Sequence, residues 1–223
     1  MATKKQALII GLGQFGTALA RTLAKRGVEV IAVDSKYELV QAIADDVDEA
    51  LCFDATDEQA LAGVAPAQRD LCVSAIGPEA RDASIIVTAL LRQLGAPRVI
   101  ARASDALLER LLPLVGAHEV INPDREFGER VANRLAYEHI VEELPLGDDL
   151  VVTEIRPPPL FVGRELQALA LPRRQGVIVI AIRRIIDGRG RAFIPGASEV
   201  IRGDDILVVV ARPADVRRLL EAT

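Results

Sequence analysis

Residues 8–16 read Leu8-Ile9-Ile10-Gly11-Leu12-Gly13-Gln14-Phe15-Gly16, and Asp34 closes the next apolar run, Val30-Ile31-Ala32-Val33. A strand, a glycine-rich turn, a helix, a second strand and an acid at this spacing point to a dinucleotide-type β-α-β unit. Gly11 permits the tight turn, Gly13 lets backbone N–H groups approach a pyrophosphate, and Gly16 lets the helix pack closely on the sheet. The helix is expected over residues 14–26. It aims unsatisfied N–H groups and the positive end of its dipole at the phosphates. Asp34 is placed to accept both ribose hydroxyls, and its charge repels a 2′-phosphate. The N-terminal half therefore reads as a site for an adenine nucleotide.

Five further β/α alternations follow. A helix over 36–45 leads to a strand at 50–53 and then Asp54-Ala55-Thr56-Asp57, where Thr56 or Asp57 caps the next helix. A strand at 71–76 ends at Gly77-Pro78, and a helix over 79–94 precedes a strand at 98–101. A helix over 104–115 ends at Gly116, and the strand 119–121 runs into Asn122-Pro123, which opens an amphipathic helix to residue 143. Strict alternation implies an α/β fold, a Rossmann-like doubly wound parallel sheet with right-handed crossovers. Ligands of such sheets bind beyond the carboxyl ends of the strands. Asp34, Asp54, Gly77, Arg102 and Asp124 are accordingly expected around one crevice.

The pattern changes at Leu144-Pro145-Leu146-Gly147, dividing a nucleotide-binding domain over 1–145 from a small α+β domain over 146–223. The second domain is expected to hold a strand at 149–155, a helical piece at 165–168, and apolar runs at 177–182, 192–194 and 206–210. Asp187-Gly188 makes a hairpin turn between the first two runs, and Pro213 opens a last helix. A unit this small is expected to bury apolar surface against a copy of itself.

Half of the chain is hydrophobic but only 3% is aromatic, so the core is built from Ala, Val, Ile and Leu. No apolar run approaches the roughly 18 residues that span a bilayer. The start, Met1-Ala2-Thr3-Lys4-Lys5, has no signal-peptide character. A cytoplasmic protein with no direct membrane insertion is expected. Residues 1–150 carry 15 basic and 24 acidic side chains, residues 151–223 carry 12 and 8. The arginines of the second part are not interleaved with aromatic residues, which argues against nucleic acid as a partner. Cys52 and Cys72 read as reduced core residues on adjacent strands, and His118 and His139 as structural, the latter on a helix.

Across its whole length the chain resembles the RCK (KTN) family, cytosolic regulatory subunits of Trk- and Ktr-type potassium transport with TrkA-N and TrkA-C domains in order. The residues that carry the resemblance are Gly11 to Gly16, Val33-Asp34, Asp54-Ala55-Thr56, Ala75-Ile76-Gly77, Ala101-Arg102, Gly116-Ala117 and Val120-Ile121-Asn122-Pro123-Asp124. In the second domain, Pro195 through Gly203-Asp204-Asp205-Ile206 to Val210 is similar to the family's closing strand. The resemblance implies a nucleotide site formed by Gly11, Gly13, Gln14, Phe15, Gly16, Asp34, Ser35, Asp54, Ala55, Thr56, Ala75, Ile76, Gly77 and Arg102. Asp34 takes the ribose, the Asp54 turn the adenine edge, and the Gly77 loop and Arg102 the phosphates. Asp124 stands where some relatives place an acid at a divalent-cation site between paired nucleotides. The implied cofactor is an adenine nucleotide (NAD(H), ADP or ATP). The implied assembly is a homodimer building an octameric ring beneath a membrane-embedded potassium-transport subunit, at the inner face of the cell membrane, with nucleotide exchange gating the pore.

One departure bears on the ligand. ATP-responsive Ktr members have an arginine where this chain has Gln14, so NAD(H), ADP or AMP gains over ATP. Another concerns cyclic di-AMP, which binds the second domain of some members; Pro172 stands near their basic contact, with Arg173 and Arg174 beside it. An NAD-dependent oxidoreductase, the main alternative of another class, lacks its machinery: Tyr137 is followed four positions on by Val141, leaving no Tyr-x-x-x-Lys pair. A cation/proton antiporter or a potassium channel is the alternative client within regulation.

Overall fold

The computed structural model describes residues 4–137, 139–186 and 188–221. It divides into two compact units, 1–125 and 126–223. The first alternates strand and helix throughout: β1 (Gln6–Ile10), α1 (Gln14–Lys25), β2 (Glu29–Asp34), α2 (Tyr37–Gln41), β3 (Glu49–Cys52), α3 (Glu58–Gly63), β4 (Leu71–Ser74), α4 (Arg81–Gln93), β5 (Val99–Arg102), α5 (Ala106–Leu114) and β6 (Glu119–Ile121); α6 (Pro123–Ala136) starts at its end and runs on into the second. All strand pairs are parallel, in the order β3-β2-β1-β4-β5-β6. This is the doubly wound arrangement expected, with its reversal of winding between β1 and β4.

The central strands are apolar without interruption because helices cover both faces. Ala7, Leu8, Ile9 and Ile10 are all buried, as are Val30 to Val33. One face packs Leu8, Ile10, Leu61, Val87 and Leu91, and the other packs Ile9, Leu12, Ala20, Val40 and Ile43. Short acidic side chains cap the starts of α3 and α5. Asp57, rather than Thr56, caps α3 by accepting the N–H groups of Gln59 and Ala60, and Asp105 does the same for α5 at Leu107 and Leu108.

The second unit is an antiparallel sheet with helices: β7 (Ile140–Leu146), β8 (Leu150–Ile155), α7 (Leu166–Leu169), α8 (Leu171–Arg174), β9 (Ile178–Ile186), β10 (Arg189–Phe193), β11 (Ile206–Ala211) and α9 (Pro213–Glu221). Its strand order is β10-β9-β11-β8-β7. Val151, Ile155, Ile182, Leu207 and Val209 of the sheet pack with Val216 and Leu219 of α9. At its centre Arg184 and Asp205 form a buried pair, described further below.

Three local expectations are corrected. The helix opened at Pro123 ends at Ala136, and residues 140–146 form the strand β7, paired with β8, so a division after residue 145 would cut this hairpin. His139 lies in the turn before β7, not on a helix. Cys52 is exposed because β3 is the edge of its sheet, whereas Cys72 is buried in β4, where burial pushes its thiol up to about 12. Of the expected hairpin turn between β9 and β10, Asp187 lies outside the described residues.

Candidate nucleotide site

The glycine turn is where sequence dictates geometry most tightly. Gly11 sits at φ +94°, and the position of an absent Cβ is filled by the backbone of Ala75 and Ile76, 2.9–3.0 Å away. A Cβ on Gly16 would run into the carbonyl oxygen of Gly11. Gly13, by contrast, faces open space and is the N-cap of α1. No side chain caps this helix and no acid occupies its first turn, so its leading N–H groups and dipole are left for an external anion.

Asp34 at the end of β2 is held by the main chain on both sides. One carboxylate oxygen accepts the N–H of Leu12 at 2.7 Å, and the other accepts the N–H of Lys36 at 2.8 Å. Asp54 closes a second small turn, accepting both the N–H of Thr56 at 2.9 Å and its hydroxyl at 2.7 Å. These two bonds hold the Asp54 carboxyl below its ordinary value, against a small opposing effect of burial.

These elements enclose a cavity of about 160 Å³ at the carboxyl ends of β1, β2, β3 and β4. It brings together the expected Gly11, Gly13, Asp34, Ser35, Asp54, Ala55, Thr56, Ile76 and Gly77. Apolar walls come from Ile10, Leu39, Phe53, Ala83 and Val87, as a planar base stacked in a cleft requires. Sequence reasoning missed Ile10 and Phe53, which flank the expected residues at the ends of β1 and β3, and also Lys36, Leu39, Glu79, Ala80, Ala83 and Val87, which come from α2, α4 and the turns that lead into them.

Gln14, Phe15, Gly16, Ala75, Arg102 and Asp124 are not in that lining. Gly16 and Ala75 shape the turn from behind. Arg102 and Asp124 make a cluster of their own rather than sharing the crevice. The Arg102 guanidinium, 13% exposed, lies 5.7 Å from the Phe15 ring centre and 2.7 Å from the Asp124 carboxylate, and its Nε has no hydrogen-bond partner among the described residues. Phe15 belongs to the first turn of α1, so this cation sits beside the helix end that awaits an anion. The start of α6 is fixed nearby, where Glu109 accepts from Asn122 at 2.7 Å and pairs with Arg125 at 2.6 Å. His118 bonds the N–H of Val99 and is structural.

A six-stranded doubly wound parallel sheet, with a bare helix N-terminus at a glycine turn and an acid at the end of β2, defines a protein of the Rossmann-like α/β class. More narrowly, the chain belongs to the RCK family built from TrkA-N and TrkA-C domains: its residues 7–123 match the TrkA-N domain and residues 150–223 the TrkA-C domain. It is 31% identical to the Ktr system potassium uptake protein C of Bacillus subtilis (strain 168), over 96% of both chains. It is 32% identical to the Ktr system potassium uptake protein A of Vibrio alginolyticus, over 92% of both. Its fold is similar to that of the GsuK channel bound to NAD, with a TM-score of 0.69 and 20% identity; the match covers 98% of this chain and 39% of that longer one.

Proposed function

We propose that this protein is a nucleotide-sensing regulatory subunit of a Ktr-type potassium transporter, working at the inner face of the membrane through a membrane-embedded partner. The observation that carries the reading is the cavity lined by Asp34 beside the uncapped start of α1, in a chain whose relatives are potassium uptake proteins along nearly their whole length. No helix among the described residues is long and apolar enough to cross a membrane, so the pore belongs to the partner. The relatives, potassium uptake proteins matched over nearly the whole chain, support a role in binding rather than catalysis. Potassium uptake by cells carrying the membrane subunit, with and without this chain, tests the reading; uptake indifferent to the chain would sink it.

The mechanism is a population shift. A nucleotide changes the membrane partner only to the extent that it binds one state of the regulatory assembly more tightly than another. Assembly through copies of the chain is supported by the apolar side chains left exposed on the described residues, among them Leu107, Leu114, Phe127 and Leu135. Homodimers building a ring would bury them. A divalent cation at Asp124 would need ligands from a second copy, because among the described residues no three acidic, histidine or cysteine side chains gather and Asp124 is already paired with Arg102.

Gln14, in the first turn of α1, offers an amide but no charge. Gln14→Arg is expected to tighten ATP binding by about ten- to a hundredfold, the worth of one charge-assisted contact of about 1.5–3 kcal/mol, with little change for AMP. Calorimetric titration of both ligands checks this, and an unchanged ATP-to-AMP ratio would refute the role given to position 14.

A further inference from the structure

The cavity holds three carboxylates, Asp34, Asp54 and Glu79, against one cation, Lys36. Two of the acids are committed to the main chain, at Leu12 and Lys36 for Asp34 and at Thr56 for Asp54. Glu79 is not: on the exposed rim, its carboxylate has no hydrogen-bond or ion-pair partner among the described residues. The carboxyl carbon lies 2.8 Å from where a Cβ on Gly77 would stand, so the charge rests across the Gly77 loop. That loop directly follows Ala75 and Ile76, whose backbone would meet a Cβ on Gly11. A carboxylate with no partner of its own among the described residues therefore stands on the loop next to the glycine turn. Position 14, in the first turn of α1, is a neutral glutamine, and Arg102 beside Phe15 is already paired with Asp124 at 2.7 Å.

Resting on the nucleotide reading above, we infer that Glu79 limits how much phosphate charge the site accepts. Each added phosphate brings further negative charge toward this carboxylate, and like charges a few ångströms apart repel strongly where the surroundings are partly apolar. Ribose hydroxyls or a cationic ring meet no such penalty and can donate to or pair with the carboxylate. The ligand class is thus a nucleoside monophosphate or a dinucleotide whose second half carries hydroxyls or positive charge. A triphosphate is rejected.

Calorimetric titration of the full chain with AMP, NADH and ATP in metal-free buffer tests this. The wild-type protein is expected to bind AMP and NADH more tightly than ATP. Glu79→Gln, which keeps the shape and removes the charge, is expected to improve ATP about tenfold and AMP or NADH far less. The gain should shrink as salt rises, and Glu79→Asp should keep the discrimination. An ATP-to-AMP ratio unchanged by Glu79→Gln, with AMP bound normally, overturns the role of Glu79 alone. Failure of every nucleotide to bind the wild-type chain overturns the nucleotide reading and this inference with it.

Discussion

Asp34→Ala lowers the affinity for NADH and ADP by at least about a hundredfold. On the proposed reading the carboxylate would offer charged acceptors to two ribose hydroxyls, each worth about 1.5–3 kcal/mol, and the sum converts to two or more orders of magnitude. Alanine also releases the N–H groups of Leu12 and Lys36, which the two carboxylate oxygens hold at 2.7 and 2.8 Å, so the glycine turn loses the tie that sets its distance from β2. Asp34→Asn separates the two effects. It keeps a carbonyl for one of these amides but sets an NH2 group against the other and removes the charge, and its affinity should fall between wild type and Asp34→Ala. Titration calorimetry reads the binding, and a thermal melt confirms that the domain still folds. Near-normal binding by Asp34→Ala would place the ribose elsewhere.

Asp205→Ala is expected to destabilise the second unit by about 3–5 kcal/mol, the usual result of stripping one partner from a buried ion pair. Asp205 has no exposed side-chain surface, and Arg184 is 6% exposed. The guanidinium forks onto both carboxylate oxygens at 2.6 and 2.8 Å, and the N–H of Arg202 adds a third bond at 2.8 Å. Without Asp205 the arginine keeps only Glu199, the carbonyl of Val200 and the Phe193 ring, 5.3 Å away. Hydrogen exchange of the amides of β9 and β11 should reveal the loss, and exchange rates like those of the wild type would disprove it.

The pH dependence has a definite sign. Burial pushes the Asp205 carboxyl up, but the Arg184 hydrogen bonds, the Arg202 amide and the two positive charges outweigh it and hold the group below its ordinary value. Its stabilisation is therefore fully present above the unfolded carboxyl value of about 3.9 and is lost as pH falls through the lower folded value. Asp205→Ala should flatten that part of the acid-denaturation curve.

The site was legible where neighbours in sequence are neighbours in space. Gly11, Gly13, Gly16 and Asp34 lie within one β-α-β unit, so spacing alone conveys their geometry. Asp54 and Thr56 close a turn of three residues, equally local. Glu79 and Val87 reach the cavity from α4 and the short turn before it, brought there by the β4 crossover, and no spacing near the glycine turn announces them. The first half of β7, Ile140-Val141-Glu142-Glu143, reads as helix in the sequence because it continues the amphipathic pattern of α6. Pro145 is tolerated there because β7 is an edge strand, where a missing N–H can face away from the sheet. Cys52 reads as core for a related reason: a short apolar run, Ala50-Leu51-Cys52, is covered less fully at the edge of a parallel sheet than at its centre.

Main-chain amides hold both Asp34 and Asp54. On the nucleotide reading proposed above, acids tied down in this way leave a nucleotide little binding energy to spend on ordering them. The same ties have a cost for signalling. A cradle held this firmly is expected to respond little to mere occupancy, so any message sent onward would originate in the part of the ligand that extends past the ribose. Two nucleotides sharing an adenosine would then be equivalent as guests and different as instructions.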